Sequence, residues 1–462
     1  MHNLTNRSVV ILGGGPTGLG AARRLTEIGE VSLRVYDENP HAGGLASSFV
    51  DEHGFTWDVG GHVQFSHYQY FDHLMDDLLG DEWLEHMRES WVWIRDRFIP
   101  YPLQNNLHLL PRGDFRRCLQ GLFDAMRGRN VVPGNFHEWI EASFGSGLAA
   151  IFLLPYNFKV WAHPPASMSY QWVGERVATV DVMRIIDNAL DGKEEKSWGP
   201  NNRFRFPLRG GTGQIWRTLA RRLPDGVFRP NRRCMRIDAE KQTAYFEDGS
   251  SEQYDRLIST IPLDDLIALV DIGFLKPCAR QLRYSTVHVI GIGLKGTAPP
   301  HLQTKCWMYF PEDNCPFYRA TVFSNYSPHN VPDITRFWSL MVEVSESPSK
   351  PVDHSGLLDT VIAGLLATKL IESTNQVASV WTQTAVHGYP VPFLGRDGLI
   401  EPILAELEKV NIYSRGRFGG WKYEVSNQDH SLMQGVELVD RLAFGTSEVT
   451  YWFPAVVNGR RQ

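Results

Sequence analysis

The chain has 462 residues, too many for one hydrophobic core, so two or three domains are expected. With 43% hydrophobic residues, 21% charged residues and a net charge of -6, it reads as a globular enzyme without a basic surface for nucleic acid or anionic membrane. Cys118, Cys234, Cys278, Cys306 and Cys315 show no CxxC pairing, and no run of bilayer length stands out, so neither a disulfide framework, a metal site nor a membrane span is expected, and the expected location is cytoplasmic.

In chain order, Ser8-Val9-Val10-Ile11-Leu12 is a short apolar strand, as a buried parallel strand should be. Gly13-Gly14-Gly15-Pro16-Thr17-Gly18 follows and opens a helix through Ala21, Ala22, Leu25 and Ile28. A second strand, Leu33-Arg34-Val35-Tyr36, ends on Asp37. This is G-x-G-x-x-G in the setting it requires, strand before and helix after, with an acid downstream. Gly13 permits the tight turn, Gly15 lets backbone approach a pyrophosphate, and Gly18 lets the helix pack on the strand. The helix terminus then faces the phosphates, and Asp37 is placed to accept from a ribose hydroxyl. The motif alone does not separate FAD from NAD.

Residues 106–188 read as mostly helical: Phe115, Cys118, Leu119, Leu122, Phe123 and Met126 recur at threes and fours, and Asn135 with Glu138 predicts a capping box. From about residue 228 the texture turns to strands. Thr243-Ala244-Tyr245-Phe246, Asp248-Gly249 and Leu257-Ile258-Ser259-Thr260 predict a hairpin returning to a buried strand, and residues 287–294, 306–310, 318–323 and 338–343 continue as strands.

Several segments carry chemistry rather than scaffold. Gly60-Gly61-His62 places backbone where it can approach a flat ring. Tyr101-Pro102-Leu103-Gln104 and Pro155-Tyr156-Asn157-Phe158-Lys159-Val160-Trp161 mix aromatics with amides, which suits stacking on a base and bonding its edge. Gly174-Glu175-Arg176-Val177, Trp307-Met308-Tyr309, Tyr318-Arg319, His387-Gly388-Tyr389, Arg417-Phe418-Gly419-Gly420-Trp421-Lys422-Tyr423 and Asn427-Gln428-Asp429-His430 complete the set.

Together these strings resemble the UDP-galactopyranose mutase family, in its eukaryotic-type branch, over nearly the whole chain. The resemblance implies an α/β architecture with three parts: a discontinuous Rossmann-like FAD-binding domain (1–87, 203–286 and 375–462), a helical-bundle domain (106–190) and an antiparallel β-sheet domain (88–105, 191–202 and 287–374). It implies a reduced FAD whose N5 attacks the anomeric carbon of UDP-galactopyranose, or of a close UDP-sugar, and expels UDP. Reclosure through the 4-hydroxyl gives the furanose without net redox change, and NADPH is the implied reductant.

Site roles follow position by position. Arg176 and Arg319 match the arginines on the diphosphate, where leaving UDP develops charge, and His62 matches a histidine near flavin N5. Tyr309, Tyr389 and Tyr423 match phosphate-bonding tyrosines. Tyr101, Gln104, Phe152, Asn157 and Trp161 match the uridine pocket, and Asn201 a flap residue that closes on substrate. Gly13, Gly15, Gly18, Asp37, Gly44, Gly61, Arg417, Gln428 and Met433 match cofactor positions, with Met433 and Gln434 expected at a helix amino terminus. Arg88 and Ser90 match positions that help bind NADPH. The chain departs from the family pattern at Ala178-Thr179-Val180-Asp181 and at Leu103, and it is short at residues 331–336. An FAD oxidoreductase of amine-oxidase-like architecture is the alternative that the glycine motif and Arg209-Gly210-Gly211-Thr212-Gly213 leave open. Oligomeric state is open as well.

Overall fold

The fold was read from a computed structural model that describes residues 2–128, 132–178, 180–196 and 202–459. Among the described residues, one parallel sheet has five strands in the order Ile412–Ser414, Arg256–Ser259, Ser8–Leu12, Ser32–Tyr36 and Phe228–Arg229. Its strands come from three distant stretches of chain, so the nucleotide-binding layer is discontinuous. Both faces are covered, as an all-parallel sheet requires. Along the first strand Val9 and Ile11 face a core shared with Leu19, Leu25, Leu432 and Val436, while Val10 and Leu12 face Ile400, Ile403, Leu404 and Leu407.

Two helices, Pro16–Ile28 and Gln428–Phe444, pack closely beneath the first face. Glycine permits the approach: a Cβ on Gly435 would stand 2.1 Å from Thr17 O, and one on Gly20 would stand 2.5 Å from Leu432 O. Both obstacles are backbone atoms, which cannot rotate aside.

The second large sheet has seven strands among the described residues, in the order Val377–Pro390, Tyr284–Lys295, Phe337–Glu346, Arg319–Val322, Trp307–Tyr309, Ser90–Ile94 and Arg97–Pro100. All neighbours are antiparallel except Trp307–Tyr309 with Ser90–Ile94, which run parallel. The sheet is therefore mixed rather than purely antiparallel. One face packs Ile290, Ile292, Leu340 and Val342 on Val361 and Leu365 of the helix Leu357–Ala367, and the other packs Val287, Val289 and Met341 on Phe55 and Trp57.

The domain bounds expected from sequence shift accordingly. Residues 377–390, expected in the nucleotide-binding part, form a strand of the seven-stranded sheet, and the neighbouring strand begins at Tyr284 rather than 287. The strand alternates buried and open positions, a pattern compatible with either sheet, and only pairing to Tyr284–Lys295 decides between them.

The helical part comprises Arg112–Arg127, Phe136–Leu148, Leu154–Trp161 and Val182–Asp191. Asn135 caps the second helix by accepting from Glu138 N–H at 3.0 Å. Glu138 answers through Gly134 N–H and the Asn135 side-chain amide, both at 2.8 Å, so the reciprocal bond of a capping box goes one residue early. Contrary to the sequence expectation, the helical run Phe136–Trp161 is long and apolar enough by length and composition to cross a bilayer. It bends at Gly145, passes through a π-helical turn at Ala149–Leu153, and half of its most apolar window is buried within the molecule.

Gly435→Ala should drive a methyl group into the Thr17 carbonyl and force the two helices apart. The expected loss is about 1–3 kcal/mol of stability, read as a lowered thermal midpoint; an unchanged midpoint would show that the contact is not tight.

Candidate active site

The turn after the first strand divides its glycines by task. A Cβ on Gly13, whose φ is +103°, would stand 2.2 Å from Thr260 Oγ1, and one on Gly18 would stand 1.9 Å from Gly13 O. These two close the turn onto the sheet. Gly15 instead borders open space, since a Cβ there would meet nothing nearer than Gly43 O at 3.8 Å and Gly44 Cα at 3.9 Å. The gap between the two glycine loops lies at the start of Pro16–Ile28, whose first turn has no acidic residue to cancel the helix dipole. Asp37 is buried, and its Oδ1 accepts from the Asn39 backbone and side-chain amides. Its Oδ2 accepts from Gly14 N–H at 2.6 Å and keeps a lone pair for a ribose hydroxyl. Backbone donors, a helix terminus and a carboxylate at this spacing fit the ADP half of FAD.

Glu343 organises the next part of the site, and sequence reasoning missed it. It is 2% exposed; Oε1 accepts from Gly61 N–H at 3.0 Å and Arg319 Nε at 2.9 Å, and Oε2 from Arg319 Nη2 at 2.8 Å and the Tyr318 hydroxyl at 2.5 Å. Burial works against the Arg319 charge, but Glu343 outweighs it and holds the guanidinium pKa well above its usual value. The available signal was a lone acid within Leu340-Met341-Val342-Glu343-Val344, because a charge inside an apolar strand needs a partner.

Gly61 lies against the same sheet, where a Cβ would stand 3.0 Å from both Thr321 Oγ1 and Trp307 Nε1. Those two atoms and His62 Nδ1 are buried without a hydrogen-bond partner among the described residues. Burial pushes the His62 pKa down to about 4, so its ring is neutral at ordinary pH. Orphaned polar atoms beside a glycine pair fit the polar edge of a flavin ring better than a packed core.

Above this turn the structure gathers three arginines. Arg176 donates to Glu424 O at 2.6 Å and lies 5.5 Å from the Tyr423 ring centre, while its Nη1 is buried without a partner. Arg417 donates to Gly388 O and Ser426 Oγ and lies 5.0 Å from the Tyr389 ring and 5.7 Å from the Tyr423 ring. It was expected at the cofactor, and its neighbours are Tyr389 and Tyr423, the tyrosines expected at the phosphates. Among the described residues neither arginine has a carboxylate within ion-pair distance, whereas Arg319 is paired bidentately. Burial lowers the Arg417 pKa, as an uncompensated cation requires. Glu424 cannot neutralise Arg176, because Arg396 holds its carboxylate through two bonds, at 2.5 and 2.8 Å.

The tyrosines form a wall of two ring-contact groups set against one core. Tyr101 meets Tyr309 edge-on at 5.3 Å, Tyr309 meets Tyr156 at 5.4 Å, and Tyr389 meets Tyr423 at 5.8 Å. Tyr156, quoted in the 155–161 string without a role of its own, and Trp172, not singled out from sequence, belong to this wall. Phe152 stacks on Tyr156, and Trp161 meets Tyr423 edge-on at 4.8 Å. Both are almost fully buried. Gln104 is buried as well, donating to Ala178 O at 2.8 Å with Oε1 left without a partner among the described residues, and Asn157 spends its amide on Leu153 O.

The other expected residues are placed less simply. Arg88 and Ser90 are buried rather than exposed; Arg88 lies 5.4 Å from the Trp307 ring, as Arg319 does. Gln428 is the first residue of its helix and accepts from Trp216 Nε1, whereas Met433 sits in the second turn, not at the terminus. Gln434 lies beyond it and bridges Gly416 N–H and Val425 O. Asn201 lies outside the described residues.

Residues 16–331 match the family of flavin-containing amine oxidoreductases. The chain is 50% identical to a protein solved as reduced UDP-galactopyranose mutase, covering 99% of this chain and 98% of that one at a TM-score of 0.96. A CLA-producing fatty acid isomerase from P. acnes (15% identity, 94% and 98% coverage, TM-score 0.65) and wild-type putrescine oxidase bound to putrescine (14%, 94% and 98%, TM-score 0.61) share the fold. The amine-oxidase-like architecture is thus the scaffold, and on it the chain belongs to the UDP-galactopyranose mutase family.

Proposed function

We propose that this chain is a flavin-dependent isomerase that interconverts UDP-galactopyranose and UDP-galactofuranose. The observation that carries the reading is the pair of buried-side arginines, Arg176 and Arg417, without carboxylate partners among the described residues and set among tyrosines above the Gly60–His62 turn. Amine or polyene substrates need no such anion clamp. A leaving diphosphate does.

Reduced FAD, held by the glycine loops and Asp37, supplies a nucleophilic electron pair for the anomeric carbon. The chain's own contribution is electrostatic. Arg176 and Arg417 already sit in low dielectric, so the charge that develops on departing UDP meets cations that need no reorganisation. Arg319 is aimed by Glu343, which neutralises it until an anion arrives. Burial raises the Tyr389 pKa, so its hydroxyl keeps the proton it would donate to a phosphate oxygen. Neutral His62 adds no positive charge beside the ring.

We further assign the chain to the eukaryotic-type branch, supported by the strings around Arg176 and Arg319, and infer that NADPH is the reductant. Arg88, packed against Trp307, is the residue that the resemblance matches to that role.

Dithionite-reduced protein should interconvert the two UDP-sugars while the oxidised protein does not; equal turnover in both states would remove the flavin from the chemistry. Arg176→Ala and Arg417→Ala should each cost about 2–4 kcal/mol of transition-state stabilisation, seen as lowered kcat/KM. Near-normal turnover in both variants would place the diphosphate elsewhere. Burial holds His62 and His430 near 4, below the ordinary histidine value, so the unfolded chain binds more protons than the folded one between about pH 6.5 and 4. Stability should fall as pH drops through that window, and His62→Gln should flatten the fall, which denaturant melts at pH 7 and pH 5 would measure.

A further inference from the structure

Away from the cleft, His288 lies on the strand Tyr284–Lys295, Glu346 ends the strand Phe337–Glu346, and His354 follows in the next loop. We propose that these three residues form a surface site for a divalent transition-metal ion of the zinc type. Nε2 of His288 and Nε2 of His354 stand 2.8 and 2.9 Å from the same atom, Glu346 Oε2. Two imidazole nitrogens and one carboxylate oxygen therefore converge on one point, with all donor atoms within 4.8 Å of one another.

The surroundings suit ligation. His288 is 5% exposed, and its Nδ1 is 3.0 Å from Thr384 Oγ1, which fixes the ring with Nε2 toward Glu346. Without an ion, Nε2–H donates to Glu346; an ion would displace that proton, and Nδ1–H donation to Thr384 would then leave the Nε2 lone pair to the metal, the arrangement typical of a metal-bound histidine. Glu346 Oε1 accepts from Val352 N–H at 3.3 Å, which leaves Oε2 as the ligand atom. Partial burial opposes the Glu346 charge, but bonds from His288 and His354 outweigh it and keep the carboxylate ionised.

Tetrahedral zinc with bonds near 2.0–2.1 Å separates its ligand atoms by roughly 3.3 Å, so the donors must spread by about half an ångström. The exposed His354 and the partly exposed Glu346 side chain can supply that movement, since His288 is held on its strand. The exposure of His354 also leaves the fourth position to water. Two imidazoles favour zinc or copper over calcium or magnesium. The facing charges are Lys350, whose ammonium donates to Ser345 O, and Asp353, which is engaged by Ser355. Lys350 opposes a cation, although burial pushes its pKa down to about 8.

A bound ion would clasp the 347–354 loop to two strands of the large sheet. Of the other two clusters of this kind among the described residues, His67, Asp429 and His430 are fully buried with no route for exchange, and Asp264, Asp265 and His387 contribute a single imidazole.

The test uses the flavin-loaded full chain, stripped with a chelator and titrated with Zn²⁺ at pH 7.5 by calorimetry and thermal melting. One ion per chain and a raised melting temperature are expected. His354→Ala, an exposed substitution, should weaken binding at least about tenfold and abolish the shift, as should His288→Gln. Cu²⁺ in place of Zn²⁺ should show coupling to two imidazole nitrogens in its paramagnetic resonance spectrum. The absence of saturable binding, or binding and stabilisation unchanged in His354→Ala, would overturn the proposal and leave the cluster a hydrogen-bonded clasp only.

Discussion

A single buried carboxylate ties the catalytic cleft to its scaffold. Glu343 binds the Gly61 backbone, the Arg319 guanidinium and the Tyr318 hydroxyl at once, although Gly61 is 282 residues away in sequence. Burying a charge is costly unless it is paired and fully hydrogen-bonded, and here all the obligations of the acid are met by groups the cleft needs in fixed positions. Removing the acid would leave Arg319 as a buried cation without compensation and release the glycine turn. The same bonds limit what Arg319 can do. With its charge largely balanced, the net positive potential over the turn comes from Arg176 and Arg417.

The scaffold serves this arrangement by keeping its parts rigid. The glycine contacts between Pro16–Ile28 and Gln428–Phe444 lock the nucleotide-binding layer, and the seven-stranded sheet carries Arg319, Tyr309, Glu343 and Tyr389 on four different strands. Residues placed on paired strands hold their spacing better than residues on loops. Arg176 and Tyr423 sit instead on short 3-10 turns, where Arg176 is oriented by the Glu424 carbonyl and Glu424 in turn by Arg396.

Much of this was legible in the sequence where the signal is local. The strand–glycine loop–helix unit from Ser8 to Ile28, the helical stretch and the hairpin at Thr243–Gln253 all follow from neighbouring residues, and the structure has them. Motif strings identified the arginines and tyrosines by type. Their partners were another matter. Trp161 and Phe152, expected at the uridine pocket, are almost fully buried, Arg417, expected at the cofactor, lies beside Tyr389 and Tyr423, and Met433 looked terminal but is a turn inside its helix. For Arg417 and Trp161 the neighbours, Tyr389 and Tyr423 respectively, come from other segments of the chain.

The sequence by itself determined that a dinucleotide is held by backbone at a helix terminus, because that motif is contiguous and its physics is local. Tertiary structure alone decided that the strand Val377–Pro390 joins the large sheet, that Glu343 is the keystone beneath Gly61 and Arg319, and that Arg176 and Arg417 lack an acidic partner among the described residues. Pairing register and charge compensation are properties of residues far apart in the chain, so no window along it can carry them.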